Sequence, residues 1–357
     1  MDVKLSSLSG LIKTSSTGKI RNLANELKEK GIPVINFAAG ELDLETSSYI
    51  KDAAVDAVTN KSSKYTNKLG MAELRHKIAE LVSEKTGNTY SIDNIAVTAG
   101  AKPALYNTAL TLFNEGDEVI IPSPYWVTLP EQVKMVKAKP LFLDTEATNF
   151  QINVENLKQI ITSNTKGIIL NTPNNPTGSV YDSETLYQIG KIAIEKKLWI
   201  VFDETYGEIV YGDKEHTRIS SLLPELQNQI IYISSFSKTF SIAGWRIGYI
   251  YGPSEVIKKI GIFQSHIASN PSVISQYGAL GALDKVNDEY VKGVKTTLFK
   301  RRELAINLIK KIQNVEVVIP DGAFYFFLNI KGWINKKHFD ITLENSNIIA
   351  ETLMNKS

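Results

Sequence analysis

Between Asn94 and Gly252, short apolar segments rich in β-branched residues alternate with longer segments in which apolar residues follow a helical spacing. Short apolar runs are typical of buried strands, and the longer periodicity predicts amphipathic helices. Strands and helices that alternate along a chain favour crossover units and a parallel sheet. The predicted strands are Ile95–Thr98, Glu118–Ile121, Pro140–Leu143, Gly167–Leu170, Trp199–Phe202, Ile230–Ser234 and Ile247–Tyr251.

Helical patterns lie between these strands and on both sides of them. A break at Gly70 separates the two helical patterns that precede the first strand. After the last strand, a charge-rich helical pattern leads into two strand-like runs, Val315–Ile319 and Ala323–Ile330. The predicted helices are Ala53–Thr59, Ala72–Lys85, Pro103–Phe113, Ser183–Glu195, Glu255–Ser265 and Asn287–Ile312. The pattern predicts an α/β fold with a mostly parallel, seven-stranded sheet sandwiched by helices.

The length and composition bear on the number of domains and on the partners. With 357 residues, 43% of them hydrophobic, the chain can bury a large core, and we expect two domains. The larger would cover residues 46–286, and a smaller α+β domain would combine residues 1–45 and 287–357. Because 40 basic residues against 38 acidic ones leave a net charge of only +2, we expect no nucleic-acid partner.

The absence of cysteine favours a reducing compartment and excludes disulfides, thiolate metal sites and cysteine nucleophiles. The first residues do not resemble a secretory signal, and no apolar run is long enough to span a membrane. We therefore expect a soluble, cytoplasmic protein without a membrane partner.

Motifs for metals and nucleotides are missing from the sequence. The histidines are too widely spaced to suggest a set of metal ligands, so we predict structural roles for them and no metal. They are His76, His216, His266 and His338. Neither a Gly-x-Gly-x-x-Gly nor a Gly-x-x-x-x-Gly-Lys-Ser/Thr pattern is present, so the dinucleotide-binding and P-loop interpretations lose their main support.

Ligands of open parallel sheets bind beyond the carboxyl ends of the strands, so the residues that follow each strand are the candidates. Gly100, Ala101 and Lys102 follow the first strand and open a helix whose backbone N–H groups suit a phosphate. Trp126 follows the second strand, either with its ring at the same rim or packed in an ordinary loop. Asn175 follows the fourth, in a turn that either binds a ligand or only joins strand and helix.

The fifth and sixth strands lead to the groups with the strongest chemical character. Asp203 ends an almost wholly apolar strand and would be partly desolvated, which is tolerable if it faces a cation such as a protonated ring nitrogen. The sixth strand is followed by Ser235, Ser237, Lys238 and Arg246. Two hydroxyls, an arginine and a lysine can hold a dianionic phosphate and present an amine beside it.

Together these motifs resemble the class I/II aminotransferases, especially the bacterial aspartate aminotransferases. The resemblance covers the chain from about Val34 to its end, with several separated motifs in the expected order. The matching segments are Gly40-Glu41, Tyr65 with Gly70, Leu74-Arg75, Ser123–Trp126, Asn175–Gly178, Asp203 with Tyr206, Ser235–Lys238 with Arg246, and Pro320–Tyr325. The resemblance implies the fold of the fold type I pyridoxal-phosphate enzymes and a transaminase activity.

The resemblance also implies a role for each residue. Lys238 would form a Schiff base with pyridoxal 5'-phosphate and later shuttle the proton of the substrate Cα, and Asp203 would keep the pyridine nitrogen protonated. Asn175 and Tyr206 would bind the phenolic oxygen, and Trp126 would stack on the ring. Lys238, Asp203 and Tyr206 are the predicted catalytic residues. The other cofactor residues are Gly100, Ala101, Lys102, Ser235, Ser237 and Arg246, with Tyr65 from the neighbouring subunit of a homodimer.

Lys102 matches a family lysine that binds the distal carboxylate of acidic substrates, although a cation here can equally serve the phosphate or lie at the surface. The predicted substrate-binding residues are Gly40, Lys102, Trp126 and Asn175. The favoured amino donors are aspartate and glutamate, with aromatic amino acids as an alternative. The acceptor would be a 2-oxo acid such as 2-oxoglutarate.

The sequence departs from the family at two places. Family members continue to an arginine that clamps the substrate α-carboxylate, whereas the last arginine here is Arg302, so we expect a shortened C-terminus at Ser357. Leu42 stands where the family has proline, which predicts a less rigid loop. Two alternatives stay open: another pyridoxal-phosphate reaction, such as a β-lyase or synthase, and a cofactor-binding protein with impaired catalysis.

Overall fold

The computed structural model describes residues 4–12, 16–37, 40–61, 64–284, 288–338 and 340–356. The central sheet consists of β1 (Ile95–Thr98), β2 (Glu118–Ser123), β3 (Lys139–Asp144), β4 (Thr165–Asn171), β5 (Trp199–Asp203), β6 (Ile230–Ser235) and β7 (Gly248–Tyr251). Their spatial order is β1-β7-β6-β5-β4-β2-β3. All neighbouring pairs are parallel except those of β7 with β1 and β6. The predicted seven-stranded, mostly parallel sheet is confirmed.

The described residues form fourteen α-helices, some of which cover the two faces of this sheet. In chain order they are α1 (Ser7–Leu11), α2 (Ser16–Glu29), α3 (Ser48–Asn60), α4 (Ala72–Thr86), α5 (Ala101–Leu112), α6 (Thr128–Met135), α7 (Val154–Ile160), α8 (Ser183–Lys196), α9 (Ile219–Leu222), α10 (Phe236–Thr239), α11 (Ser254–Ile267), α12 (Val273–Asp284), α13 (Asp288–Ile309) and α14 (Ser346–Lys356). Residues of α3, α4, α8 and α12 share one apolar core with the sheet, and those of α5, α6 and α11 share another. The α/β sandwich is therefore confirmed.

The central strands β5 and β6 are mostly apolar because both faces of the sheet are buried there. In β5, Ile200 and Phe202 belong to one core, and Val201 between them belongs to the other. The same alternation occurs in β6 at Tyr232 and Ile231. Strands of a parallel sheet covered on both sides are expected to be continuous apolar runs. A charged residue at the end of such a strand meets few polar groups unless other segments supply them.

The sequence patterns located these elements well within the sheet. Each predicted strand of the sheet lies within about two residues of the observed ends. Helix α3 begins at Ser48 rather than at Ala53, because Ile50 also belongs to its fully buried face. The division into a large domain over residues 46–286 and a smaller one stays a prediction.

The two predicted C-terminal strands are wrong in length. The first run forms only β8 (Glu316–Val317), and the second forms only β9 (Leu328–Asn329), which pairs antiparallel with β8. The chain before β9 does not continue the pairing, because Ala323 adopts a left-handed conformation (φ 55°) and donates its N–H to the Ile209 carbonyl oxygen. The remaining short strands are β10 (Lys337–His338) and β11 (Ile341–Thr342).

Two features that would point to other classes of protein are missing from the described residues. No helix in these ranges combines the length and the apolar character that crossing a membrane requires. The same residues contain no group of three or more histidine, aspartate or glutamate side chains that could hold a metal ion.

Candidate active site

The carboxyl ends of four strands meet at one edge of the sheet. Asn171 at the end of β4 lies beside Asp203 at the end of β5. Ser235 at the end of β6 and Thr98 at the end of β1 both lie beside Gly248, where the antiparallel β7 begins. The predicted site residues that follow these strands are therefore brought to the same edge.

A turn that requires glycine places Arg246 at the N-terminus of α5. Gly100 precedes Ala101, the first residue of this helix, with a φ of 91°. A Cβ atom at Gly100 would lie 2.6 Å from Arg246 Nη2, so a larger residue would displace the guanidinium. Arg246 donates hydrogen bonds to the carbonyl oxygens of Ala243 and Ala99, at 2.8 and 3.3 Å. The guanidinium and the N–H groups of the helix end both favour an anion here.

Two buried hydroxyls hold the turn that carries Lys238. Ser235 caps helix α10, because its Oγ accepts a 3.1 Å hydrogen bond from the N–H of Ser237. The Ser235 Oγ also lies 2.7 Å from Ser237 Oγ and 3.1 Å from the carbonyl oxygen of Ile247. These bonds fix the backbone from which the Lys238 side chain extends.

The amine of Lys238 lies in a setting that makes it easier to deprotonate. Its Nζ donates to the Gly40 carbonyl oxygen and lies 5.7 Å from the centroid of the Phe324 ring. Burial lowers the pKa of Lys238, the charge of Glu41 opposes this change, and that of Arg246 adds to it. A lysine with a lowered pKa is more often neutral, and the neutral amine is the form that attacks a carbonyl group.

Asp203 is a buried carboxylate without a cationic partner in the described part of the chain. Its side chain is only 2% exposed. Oδ1 accepts a 3.0 Å hydrogen bond from the N–H of Thr205, and no described lysine, arginine or histidine forms an ion pair with it. Burial raises the pKa of Asp203 to about 6, against the effect of the Thr205 hydrogen bonds. A carboxylate in this condition is stabilised by a positively charged neighbour.

Tyr206 and Asn175 come from different loops and both contact Tyr325. The Tyr206 hydroxyl lies 2.6 Å from the Tyr325 hydroxyl, and Asn175 Nδ2 lies 3.5 Å from the same oxygen. The turn of Asn175 is held by its N–H, which donates to Asn171 Oδ1 at 2.7 Å. Tyr325 is missing from the predicted site residues. The one signal for it was its place in the Pro320–Tyr325 motif, since it does not follow a strand of the sheet.

Lys102 and Trp126 lie together, as expected for residues at one rim. Lys102 Nζ is 5.3 Å from the centroid of the Trp126 ring, which is within cation–π range. Partial burial lowers the pKa of Lys102, and so do the positive charges of Arg246 and Arg21. The charges of three cationic side chains therefore act on the same region, which favours an anionic ligand.

The relatives of this chain belong to one family. The sequence profile of the family described as aminotransferase class I and II matches residues 32–351. This chain belongs to that family. It is 38% identical to the probable aspartate/prephenate aminotransferase of Aquifex aeolicus over 334 residues, covering 93% of this chain and 85% of the relative. It is 39% identical to the aspartate aminotransferase of Bacillus subtilis over 330 residues, covering 92% and 84% of the two chains.

Solved aminotransferase structures share its fold. The aspartate aminotransferase of Rhizobium meliloti matches with a TM-score of 0.93 and 32% identity, over 99% of this chain and 89% of that one. The Thermus thermophilus aspartate aminotransferase with maleate matches with a TM-score of 0.87 and 32% identity, over 91% and 85% of the two chains. The chain is a transaminase with the fold that the resemblance implied.

In this aminotransferase, Tyr65 lies apart from the other predicted site residues. Its side chain is 86% exposed. Within the described ranges, it shares no hydrogen bond or ring contact with those residues. Within the described part of one chain, Tyr65 therefore has no polar or ring contact with the site.

Behind the site, the carboxylate that follows Asp203 belongs to a closed ionic network. Glu204 accepts hydrogen bonds from His216 Nε2 at 2.8 Å and from the Tyr251 hydroxyl at 2.9 Å, and Arg218 Nε lies 2.8 Å from it. Burial opposes its ionisation, but Arg218 and His216 outweigh burial and lower the pKa of Glu204 to about 2. The aminotransferase thus holds this carboxylate ionised by its own side chains.

Proposed function

We propose that this transaminase works with pyridoxal 5'-phosphate bound through the amine of Lys238. The proposal rests above all on Asp203, a buried carboxylate with a raised pKa and no cationic partner among the described residues. A protonated pyridine nitrogen is the kind of cation that such a carboxylate stabilises. When bound, the cofactor supplies an electron sink for the electron pair left at the substrate Cα after its proton departs.

The other candidate residues have tasks that fit their positions. Lys238, with its lowered pKa, would remove the proton from the substrate Cα and return it. Asn175 and Tyr206 would donate hydrogen bonds to the phenolic oxygen, and Trp126 would cover one face of the ring. The residues that would bind the cofactor phosphate are Gly100, Ala101, Ser235, Ser237 and Arg246, and Lys102 lies at the edge of this set.

The favoured substrates are dicarboxylic amino acids. Lys102 carries a positive charge at the rim, and Arg246 and Arg21 add theirs to the same region. The Thermus relative has been solved with maleate, a dicarboxylate, and the Aquifex relative is named for both aspartate and prephenate. We therefore propose aspartate or glutamate as the amino donor and 2-oxoglutarate as the acceptor, with Gly40, Lys102, Trp126 and Asn175 as substrate-binding residues. Prephenate, also a dicarboxylic oxo acid, is the second acceptor to test.

The two alternative functions are not favoured by the comparisons. The relatives named above are aminotransferases, whereas neither a β-lyase nor a cyclopropane-forming synthase is among them. The products separate these reactions, because a transaminase converts the acceptor oxo acid into an amino acid. A protein with impaired catalysis would bind the cofactor, but its absorption would not respond to any amino acid.

A homodimer in the cytoplasm completes the proposal. Tyr65 is 86% exposed, and Val55 and Val58 on α3 are each 63% exposed, although apolar and aromatic side chains gain from burial. We propose that this surface meets a second copy of the chain, so that Tyr65 reaches the partner's cofactor phosphate. Sedimentation should give twice the mass of the chain, and a monomer with full activity would refute the shared site.

The experiment that tests the cofactor proposal compares Lys238→Ala with Lys191→Ala, a change of an exposed lysine on α8. With added cofactor, the unchanged protein should develop an absorption band that responds to aspartate or glutamate and recovers with 2-oxoglutarate. Lys238→Ala should lose this response and roughly 10⁴-fold in kcat, because it loses both the covalent link and the proton carrier. Lys191→Ala should behave as the unchanged protein. Full activity of Lys238→Ala would remove the proposal.

The substrate proposal is tested by Lys102→Met, with Lys137→Met as the control at an exposed lysine. Methionine keeps most of the length of the side chain but has no charge. The kcat/KM for aspartate should fall by about 10- to 100-fold, since a hydrogen bond to a charged group contributes about 1.5–3 kcal/mol. The kcat/KM for an aromatic donor should change little. An equal loss for both donors would assign Lys102 to the cofactor phosphate instead.

A further inference from the structure

Tyr325 lies beside Asn175 and Tyr206, the two residues proposed to bind the phenolic oxygen of the cofactor, but it belongs to a distant part of the chain. Its hydroxyl lies 2.6 Å from that of Tyr206, which is 119 residues away in sequence. The two rings are 5.6 Å apart and nearly perpendicular, at 80°. Edge-to-face packing of this kind fixes the orientation of both rings and thus of both hydroxyls.

The backbone near Tyr325 is shaped to bring its hydroxyl to this point. A Cβ atom at Gly40 would lie 2.7 Å from the Tyr325 hydroxyl oxygen, so glycine at this position makes room for the hydroxyl. Two residues before Tyr325, Ala323 is held by its N–H, which donates to Ile209, and by its carbonyl oxygen, which accepts from the Tyr211 hydroxyl. Tyr325 is therefore positioned by a segment docked on the loop that follows Tyr206.

The bond between the two hydroxyls can run in either direction, and the direction decides where the Tyr206 proton goes. The amide Nδ2 of Asn175 can only donate, so its 3.5 Å contact to Tyr325 uses the Tyr325 oxygen as an acceptor. Each tyrosine has one O–H to donate. If Tyr325 donates its proton to the Tyr206 oxygen, the Tyr206 proton stays free for a further acceptor. The reverse direction would use the Tyr206 proton within the protein.

Both phenols keep their protons near neutral pH. Burial raises the pKa of Tyr325 to about 12, the hydrogen bond with Tyr206 opposes this rise, and the negative charge of Asp203 adds to it. Burial also raises the pKa of Tyr206, again with help from Asp203 and from Tyr325 itself. Among the other charged groups of the site, Glu41 and Arg246 act on Lys238, and Arg246 also acts on Lys102.

We propose that Tyr325 is a positioning residue that donates its hydroxyl proton to Tyr206 and so directs the Tyr206 proton to the phenolic oxygen of the cofactor. The inference rests on the proposed cofactor function and adds a residue to it. A donor bond stabilises the negative charge of a phenolic oxygen, and a second donor behind the first strengthens this effect. Loss of the Tyr325 hydroxyl should therefore raise the pH at which the absorption of the bound cofactor changes.

The test is an absorbance titration of the cofactor-loaded protein with Tyr325→Phe, Tyr206→Phe, the double variant and Tyr211→Phe. Tyr325→Phe should bind the cofactor and shift the midpoint upward by about 0.5–1 pH unit, the effect of one hydrogen bond. Tyr206→Phe should shift it further, and the double variant should match Tyr206→Phe, because Tyr325 acts through Tyr206. Tyr211→Phe removes one of the two bonds that hold Ala323, and because the bond from the Ala323 N–H to Ile209 remains, it should leave the midpoint unchanged.

Three results would overturn the inference while the cofactor proposal stands. These are an unchanged midpoint for Tyr325→Phe, a double variant whose shift is the sum of the two single shifts, and an equal shift for Tyr211→Phe. The last would show that the segment matters and the Tyr325 hydroxyl does not. If the unchanged protein develops no cofactor band, the proposed function fails and the relay fails with it.

Discussion

Asp203 and Glu204 are consecutive carboxylates whose pKa values are shifted in opposite directions. The two residues are 2% and 3% exposed, so burial alone does not distinguish them. The pKa of Asp203 is raised to about 6, whereas that of Glu204 is lowered to about 2. Consecutive side chains at the end of a strand point to opposite sides and meet different neighbours.

The difference lies in what each carboxylate meets. Glu204 is surrounded by His216, Arg218 and Tyr251, which neutralise its charge and satisfy its oxygens. The Asp203 carboxylate accepts from the N–H of Thr205 and lacks a cation among the described residues. A buried charge that the protein does not neutralise is available to a ligand, and this marks a functional site more clearly than burial does.

The largest expected effect is on catalysis, for Asp203→Asn. Asparagine has the same shape without the charge, so the pyridine nitrogen would lose the group that holds its proton. Removing one partner of a buried ion pair costs about 3–5 kcal/mol, which predicts a fall in kcat of roughly 10²- to 10⁴-fold. Steady-state kinetics would measure it beside Asp213→Asn, an exposed aspartate. A loss below about tenfold would show that Asp203 is not the counter-ion.

The next effect is on stability, for Glu204→Gln. Glutamine leaves Arg218 and His216 buried without their counter-charge, so the free energy of unfolding should fall by about 3–5 kcal/mol. Urea denaturation would measure this change, with the exposed Glu225→Gln as the control. The kcat of the folded variant should change much less than that of Asp203→Asn. A fall of under about 1 kcal/mol would contradict the contrast between the two carboxylates.

The smallest effect is a pH dependence of the cofactor-free protein. In the folded chain the pKa of Asp203 is about 6, whereas its ordinary value, which applies to the unfolded chain, is 3.8. The folded chain therefore binds this proton more tightly than the unfolded chain does. The stability that protonated Asp203 contributes is present below pH 3.8 and is lost as the pH rises through about 6. Asp203→Asn should therefore become more stable than the unchanged protein across this range, by about 2–3 kcal/mol at neutral pH.

Denaturant titrations at pH 4, 5, 6 and 7 would follow this difference in unfolding free energy. Glu204 should behave in the opposite sense, because its folded pKa of about 2 lies below the ordinary value of 4.5. Its contribution is present above pH 4.5 and is lost as the pH falls toward 2. If the difference in unfolding free energy between Asp203→Asn and the unchanged protein stays constant from pH 4 to 7, the pKa of Asp203 is not raised and another group neutralises its charge.

The sheet and the placement of Lys238 could be predicted because they depend on local patterns. An apolar run between turn residues marks a strand wherever it occurs, and parallel strands bring their carboxyl ends to one edge. The sequence therefore predicted the places of Asp203, Ser235 and Gly100 at or just after the ends of strands. The C-terminal strands could not be located in this way, because Ala323 and its neighbours take their conformation from contacts with the loop of Ile209.

Tyr325 could not be assigned to the site for a related reason. Its contact with Tyr206 joins residues 119 positions apart, and no spacing rule links such residues. The motif Pro320–Tyr325 indicated the family but not which of its side chains reaches the site. Tyr65 differs from Tyr325, because the resemblance assigned it to the site of the neighbouring subunit, although no local pattern in the chain did so.

The sequence by itself determined the succession of strands and helices along the chain, the family, and the residues that stand at the ends of β1, β4, β5 and β6. These properties follow from hydrophobic periodicity and from motifs of adjacent residues. The tertiary structure decided which carboxylate is neutralised and which is not, since the partners of Glu204 come from 12 and 47 residues further along the chain. The ionisation of a buried group depends on the donors and charges around it, and only folding brings these together.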